Sequence, residues 1–327
     1  MGRPLLLAAI ALAAHIHGVG TAAAQSWPTR PVSMVVPFAP GGAVDVLGRI
    51  LGVRLSEVLG QQVFIENISG AGGMLGSARV AKSSPDGYEF LLGHAGTHAQ
   101  NQTLYKNPLY NAATDFAPVA LIAEQPTVLV ARKDLPPNTL PEFITYAKAN
   151  QAKMQYGSAG AGAANHLACV LLNAAIGIDV THIPFRGGGP AMQELISGRI
   201  DYTCNIVTTA LPQIEAKLVK PIALLSTARS PTLPNLASAQ EQGLPNFDAS
   251  TWYAIFLPKG APAPIVRKLH DAIEATVSTP ALQERLKEIG ADLVAPERRS
   301  PEYLAKFVVS EIARWAGPIK ASGVSMD

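Results

Sequence analysis

Apolar residues in this chain gather into short blocks, mostly β-branched, that break off at glycine or proline. The block over residues 32–38, VSMVVPF, predicts a buried strand that ends at Ala39-Pro40-Gly41-Gly42. Val44, Leu47, Ile50, Leu51, Leu55, Val58 and Leu59 then recur at helical spacing, with Asp45, Arg49, Arg54 and Glu57 between them, which predicts an amphipathic helix. The unit repeats. QVFIENI (62–68) reads as a strand, SGAGG as a second glycine turn, and MLGSARVAKS as a short helix stopped by Pro85-Asp86-Gly87. YEFLLG (88–93) reads as a third strand, followed by His94-Ala95-Gly96-Thr97 and a polar, helix-like stretch to residue 105.

Residues 116–133 hold two apolar runs around Glu124-Gln125-Pro126 with no helix between them, which predicts a crossing into a second lobe. There the scheme recurs: a helix at LPEFITYAKAN, a strand at MQYG (154–157), the loop SAGAGAANH, and a helix to residue 176. A strand at DVTHIPF (179–185), the loop Arg186-Gly187-Gly188-Gly189, the helix PAMQELISG and a strand at RIDYTCN follow. A helix over 212–217 and a strand at PIALLS complete this lobe, and the proline-rich residues 229–247 predict loops around a short helix. STWYAIFLPKG (250–260) predicts a strand that returns to the first lobe. Helices over 263–277, 282–289 and 301–319 and a short strand at 291–296 end the chain. Strand–helix alternation predicts two α/β lobes, each on a mostly parallel sheet: residues 25–126 with 249–327, and residues 127–248. Ligands of such sheets sit outside the carboxyl ends of the strands, where the glycine loops fall. Two lobes, a double crossing and facing glycine loops describe a hinged clamp.

Gly41 and Gly42 stand where a strand feeds a helix, so bare amides and the positive helix end face a cleft. This is an anion pocket in outline, or else a plain tight turn. The loop lacks the lysine and hydroxyl of GxxxxGK[ST] and the spacing of GxGxxG, so a carboxylate suits it better than a phosphate. Only 15 % of residues are charged and the net charge is +2, which argues against a nucleic-acid face. Residues 1–24 carry Arg3, an apolar run and a small-residue end at Ala22-Ala23-Ala24, the pattern of a secretory signal peptide cleaved near Ala24. Export to an oxidising compartment makes Cys169 and Cys204 a candidate disulfide. Closing about 35 residues, it would contribute roughly 3 to 4 kcal/mol. The alternative is a pair of buried free thiols.

Among the side chains, Thr97 and Ser158 are hydroxyls in strand-end loops that can donate to carboxylate oxygens or cap the following helices. His166 can reach a ligand or bond to backbone. Arg186, beside three glycines, can form a bidentate pair with a second carboxylate or face solvent. Asp45 sits in the first turn of its helix, where it suits the helix end or the loop amides better than an anion. His94 and His98 are four apart, but Gly96 intervenes and no third ligand is near, so no metal or cofactor is expected. Gly157-Ser158-Ala159-Gly160 is not GxSxG, and no serine, histidine and acid set stands out by spacing.

The stretches PFAPGGAVDVLGR, ENISGAGGMLGSARVAKSSPDGY, YGSAGAGAANHLA, THIPFRGGGPAMQELISGRIDY and WYAIFLPKGAPAPIV, spread over the chain after residue 24, resemble the Bug family. Its members are extracytoplasmic solute-binding receptors of tripartite tricarboxylate transporters. The resemblance implies a periplasmic Venus-flytrap protein that closes on a small carboxylate and delivers it to a membrane permease; a monomer is expected, and the missing catalytic sets argue against an enzyme. It implies that backbone amides and ordered waters of the first two glycine loops hold one carboxylate, which here means Phe38, Ala39, Gly41, Gly42 and Asp45, then Gly70, Ala71, Gly72 and Gly73. The second lobe would close with residues 158–166, with Arg186, Gly187 and Gly188, and with the end of the next strand. Family members often carry an aspartate at that strand end, for ligands bearing an ammonium group. This chain has Asn205, which favours a plain mono- or dicarboxylate, aromatic ones included, within the mono-, di- and tricarboxylates that such receptors take. A sensor module that docks on a signalling protein and an exported hydrolase are the alternatives in other classes.

Overall fold

The computed structural model describes residues 27–327, so the leader expected over residues 1–24 lies outside the described residues. The first apolar block forms β1 (Val32–Val36) and the amphipathic stretch after it forms α1 (Ala43–Leu59). The repeats form β2 (Val63–Asn67), α2 (Met74–Ala81) and β3 (Glu89–His94). A wide helical turn over Gly96–Gln100 leads into α3 (Asn101–Leu104) and on to β4 (Phe116–Gln125). One residue later β5 (Thr127–Arg132) begins a different sheet, followed by α4 (Leu140–Asn150), β6 (Gln155–Ser158), α5 (Ala164–Ile176) and β7 (Thr181–Pro184). Next come α6 (Gly188–Ile196), β8 (Tyr202–Ile206), α7 (Val207–Glu215) and β9 (Val219–Leu224). The chain then returns through β10 (Thr251–Pro258), α8 (Ala263–Val277), α9 (Pro280–Glu288), β11 (Asp292–Leu293) and α10 (Pro301–Ala321).

The strand orders are β11-β4-β10-β3-β1-β2 in one sheet and β7-β6-β8-β5-β9 in the other. β1 pairs in parallel with β2 and β3, as β6 does with β7 and β8, which is the parallel pairing that alternating strands and helices predict. Both sheets are nevertheless mixed. β10 runs antiparallel to β3 and β4, and β5 antiparallel to β8 and β9. β5 and β10 are the strands by which the chain has just arrived from the other sheet. A chain that leaves one sheet at its carboxyl edge and enters the next at that sheet's carboxyl edge must run backwards there. The carboxyl edges of the two sheets therefore face each other, and every loop after a parallel strand points into one cleft.

Three local readings are corrected. The helix expected over 212–217 starts at Val207, directly after β8, with Pro212 inside it. Val207, Ala210, Leu211 and Ile214 supply its apolar face, and Pro212 lies far enough in that only one hydrogen bond is forgone. Residues 229–247 form turns with no helix, because Pro231, Pro234 and Pro245 interrupt any helical run. Gly96 does not separate His94 from His98; it opens the wide turn that joins them.

Cys169 on α5 and Cys204 on β8 are joined, with Cα atoms 5.3 Å apart and both side chains fully buried. The bridge ties the helix that carries Asn165 to the strand that carries Asn205. Across the back, the buried Glu311 of α10 accepts from the indoles of Trp252 at 2.9 Å and Trp315 at 3.2 Å and pairs with Arg314, which anchors α10 to β10. Because the bridge closes a 35-residue loop, its removal is expected to lower stability by about 3 to 4 kcal/mol. Urea unfolding of the oxidised protein against the double variant Cys169→Ala, Cys204→Ala measures this, and coincident curves would refute it.

Candidate functional site

Beyond β1 the chain turns through Phe38 and Gly41 into α1, and a buried carboxylate fixes that turn. Asp45 Oδ2 accepts from the Gly41 amide at 2.9 Å and from Arg49 Nε at 2.9 Å. Its Oδ1 accepts from Asn67 Nδ2 at 2.9 Å, and the same amide group reaches Phe38 O at 2.9 Å. Burial acts to raise the Asp45 pKa, but the hydrogen bonds from Arg49, Gly41 and Asn67, with the Arg49 charge, hold it below the usual carboxylate range. With both oxygens occupied, Asp45 shapes the loop and presents no free oxygen to a ligand.

The second glycine loop is held by Asn101, whose Nδ2 donates to Gly72 O at 3.2 Å. Gly72 has φ 61°, and a Cβ there would lie 2.6 Å from the carbonyl oxygen of Ala161, in the facing loop of the other sheet. Only glycine lets these two backbones meet. Gly73 packs under the Phe38 ring and Thr97, Gly70 under Leu75, so this loop, Ala71 included, buttresses the first from behind. Across the gap Gly187 approaches Ala39, Gly189 approaches Gly41, and Tyr105 Oη donates to Ala161 O at 2.9 Å. Further along, Thr208 Oγ1 of the other half donates to Ile289 O at 2.9 Å and accepts from Gln125 Nε2, which also donates to Ile289 O at 2.9 Å.

The loops line a small, partly open cavity of about 30 Å³. Of the candidates from the sequence, Phe38, Gly42, Gly188 and Asn205 line it. So do Ala43, Val44, Ala159 and Ala163 to Asn165, which lie in the loops that reading chose, and His94, Ile206 and Thr209, which it did not select. No charged side chain lines it. Its wall is instead made of helix starts: α1, α5, α6 and α7 all begin at it. Their N-caps are Gly42, Ala163, Gly187 and Ile206, none of which makes a side-chain cap. Away from the cavity, Thr139 on α4 and Ser300 on α10 make such caps, while α2, α3, α8 and α9 also begin without one. Uncapped first-turn amides from four helices therefore converge on one small space, with about half a positive charge at each helix end. The signal that would have found α7 is the apolar spacing of Val207, Ala210, Leu211 and Ile214; for His94 there was none beyond its place at a strand end.

The other side chains serve the loops. Thr97 Oγ1 bonds to the backbone of His94 and to His98 Nδ1 and is fully buried. Ser158 Oγ is also fully buried, bonded to Gly160 on both sides and to His182 Nε2 at 2.7 Å, so it presents no nucleophile to the cleft. His166 Nδ1 accepts from the Gly162 amide at 3.2 Å, and its ring stacks on His182 at 4.1 Å. Burial pushes His166 down to about 3 and His182 down to about 4, so both stay neutral. Arg186 is exposed, with no ion pair among the described residues. Asn165 Oδ1 accepts from Ala159 N at 3.0 Å and Asn205 Nδ2 donates to Thr203 Oγ1 at 2.9 Å, which leaves each amide one end for the cleft.

Asp45→Asn is expected to lower stability by about 1 to 3 kcal/mol at neutral pH, the usual scale for hydrogen bonds to a buried charge. A lowered folded pKa means the Asp45 contribution is complete above the unfolded value, near pH 4, and is lost as pH falls through the folded one. The gap between wild type and variant in urea unfolding should hold from pH 8 to pH 5 and narrow below pH 4. A gap independent of pH down to pH 2 would contradict the assignment.

Comparison with known proteins follows the same lines. The model described as tripartite tricarboxylate transporter family receptor matches residues 47–324. A protein in the TAR-I ttuE-ttuC' intergenic region of Agrobacterium vitis is 40 % identical over 301 residues, covering 92 % of this chain and 87 % of its own. The structure of the periplasmic binding protein BugD superposes with a TM-score of 0.88 at 40 % identity, over 92 % of this chain and 100 % of that one. MatC from Rhodopseudomonas palustris, solved with bound malate, gives a TM-score of 0.87 at 39 % identity, over 89 % of this chain and 99 % of MatC.

Proposed function

The chain belongs to the tripartite tricarboxylate transporter receptor family, and from that membership we propose that it is a periplasmic receptor that captures a small organic carboxylate and hands it to a membrane permease. The observation that carries the reading is the cavity walled by four uncapped helix starts and no charged side chain. Such a wall is complementary to a small anion, because first-turn amides and helix dipoles supply positive potential without a counter-ion that must itself be desolvated. It is a poor match for a cation, which would meet only positive helix ends. The malate bound by the similar MatC belongs to this chemical class.

In this reading residues 1–24 direct export, with cleavage near Ala24. The lobes, residues 25–126 with 249–327 and residues 127–248, swing about the two crossings and close over the ligand as a monomer. The bonds of Tyr105 to Ala161 and of Thr208 to Ile289 and Gln125 would form on closure, since each joins one half to the other. Gly42, Ala43 and Val44 hold one carboxylate from the first lobe. Asn165, Gly188, Asn205 and Thr209 meet the rest of the molecule from the second.

A panel of acetate, succinate, malate, adipate, citrate and benzoate, tested by thermal shift and then calorimetry, examines the proposal. At least one member at 100 times its Kd should stabilise the protein by about 2.7 kcal/mol. Absence of a shift with any member at saturating concentration would sink the carboxylate reading. Gly42→Asp places a resident carboxylate over the α1 amides, and a Cβ there meets neighbours only at 3.7 Å, so the fold should accept it. Its expected effect is at least a tenfold loss of carboxylate affinity with the melting temperature of the free protein preserved.

A further inference from the structure

His94 closes the parallel strand β3 and lies in the wall of the cavity, yet it belongs to neither of the two glycine loops. Three contacts fix its ring. Its Nδ1 accepts from the Gly96 amide at 2.7 Å, its face stacks on Phe38 with centroids 4.9 Å apart, and its edge meets the Tyr253 ring at 6.4 Å. A ring whose Nδ1 accepts must carry its proton on Nε2 when neutral. Burial keeps it neutral, with its pKa pushed down to about 3. Nε2 has no protein partner among the described residues and, unlike Nε2 of His98, is not enclosed. His98 is the useful contrast: it stacks on Phe256 at 3.8 Å with Nε2 sealed in the core, so it has no access to the cavity.

We propose that His94 is a ligand-binding residue that donates its Nε2–H to the carboxylate held by the Gly42 to Val44 amides. The donor is neutral, aimed by the Gly96 amide and by Phe38, and needs no reorganisation when the ligand enters. Gly96 is part of the device, because a Cβ there would lie 2.3 Å from His94 Cε1 and push the ring out of place. Within the carboxylate reading above, on which this rests, His94 adds a side-chain donor to a site otherwise made of backbone.

Two variants separate contact from support. His94→Asn keeps an acceptor where Nδ1 meets the Gly96 amide but has no donor at the Nε2 position. His94→Gln puts an amide N–H near the Nε2 position and gives up the Gly96 contact. The probe is malate, or the member of the panel above that binds wild type most tightly, measured by calorimetry on the purified protein. His94→Asn should weaken binding roughly tenfold or more, the scale of a hydrogen bond to a charged group, while His94→Gln stays within about threefold of wild type. In ¹⁵N-labelled wild type the His94 nitrogens should show the Nε2–H tautomer, and the Nε2 resonance should move on titration with the probe. Wild-type affinity in His94→Asn, or equal losses in both variants, would overturn the proposal. Failure of wild type itself to bind any panel member is a different result and falls on the carboxylate reading instead.

Discussion

Everything at the cleft depends on the direction in which two strands run. β4 leaves the first sheet at its carboxyl edge, and β5 enters the second from that same side, one residue later. β10 makes the return trip. Each is reversed against the parallel strands of the sheet it joins. Reversal turns the carboxyl edges of the sheets toward each other. The loops after β1, β2, β3, β6, β7 and β8 then have one destination. Had the chain crossed with a helix between β4 and β5, parallel entry would have been available and the two sets of loops would have pointed apart.

The second consequence concerns helix ends. In a strand–turn–helix unit the helix that follows a parallel strand begins at the carboxyl edge, so facing edges also mean facing helix starts. α1, α5, α6 and α7 all begin at the cavity, and their caps are Gly, Ala, Gly and Ile. A Ser or Asp at any of these positions would stabilise its helix by roughly 1 kcal/mol and would occupy the amide that faces the cavity. All four ends at the cavity lack that cap, as do α2, α3, α8 and α9, while α4 and α10 carry one. What sets the four apart is where they begin: their first-turn donors face one space that a ligand can use.

How much of this was legible in the sequence follows from which signals are local. The strand–glycine–helix units around Gly41 and Gly42 and around Gly187 and Gly188 are written in adjacent residues, and their positions in the cleft match the pattern. The crossing at Glu124-Gln125-Pro126 is visible as two apolar runs without a helix. The reversal of β5 and β10 is not, since strand direction within a sheet depends on partners more than a hundred residues away in the case of β10 and β4. Thr97 and Ser158 were candidates because they are hydroxyls at strand ends, but the bonds they make to His94, Gly160 and His182 are set by turn geometry that composition does not reveal. Arg186 points to solvent because the three glycines after it bring backbone, not side chain, up to Ala39 and Gly41. The start of α7 was missed because Pro212 is a strong helix-start signal and drew the boundary five residues too late.

Asp45 shows why a carboxylate can sit in the opening loop of an anion site without spoiling it. One oxygen takes the Gly41 amide, which precedes the helix, so the first-turn amides of Gly42, Ala43 and Val44 remain unused by it. Arg49 lies against it at 2.9 Å through the same turn of α1, so the pair presents little net charge to the cavity. Asn67 reaches in from the neighbouring strand β2 and binds both Asp45 and the Phe38 carbonyl, which locks the loop to the sheet. The acid is thus spent within the loop and does not line the cavity. Phe38, whose position it sets, is in turn the surface on which His94 stacks. A single buried carboxylate therefore orders, through the backbone it holds, both the amides and the imidazole that face the cavity.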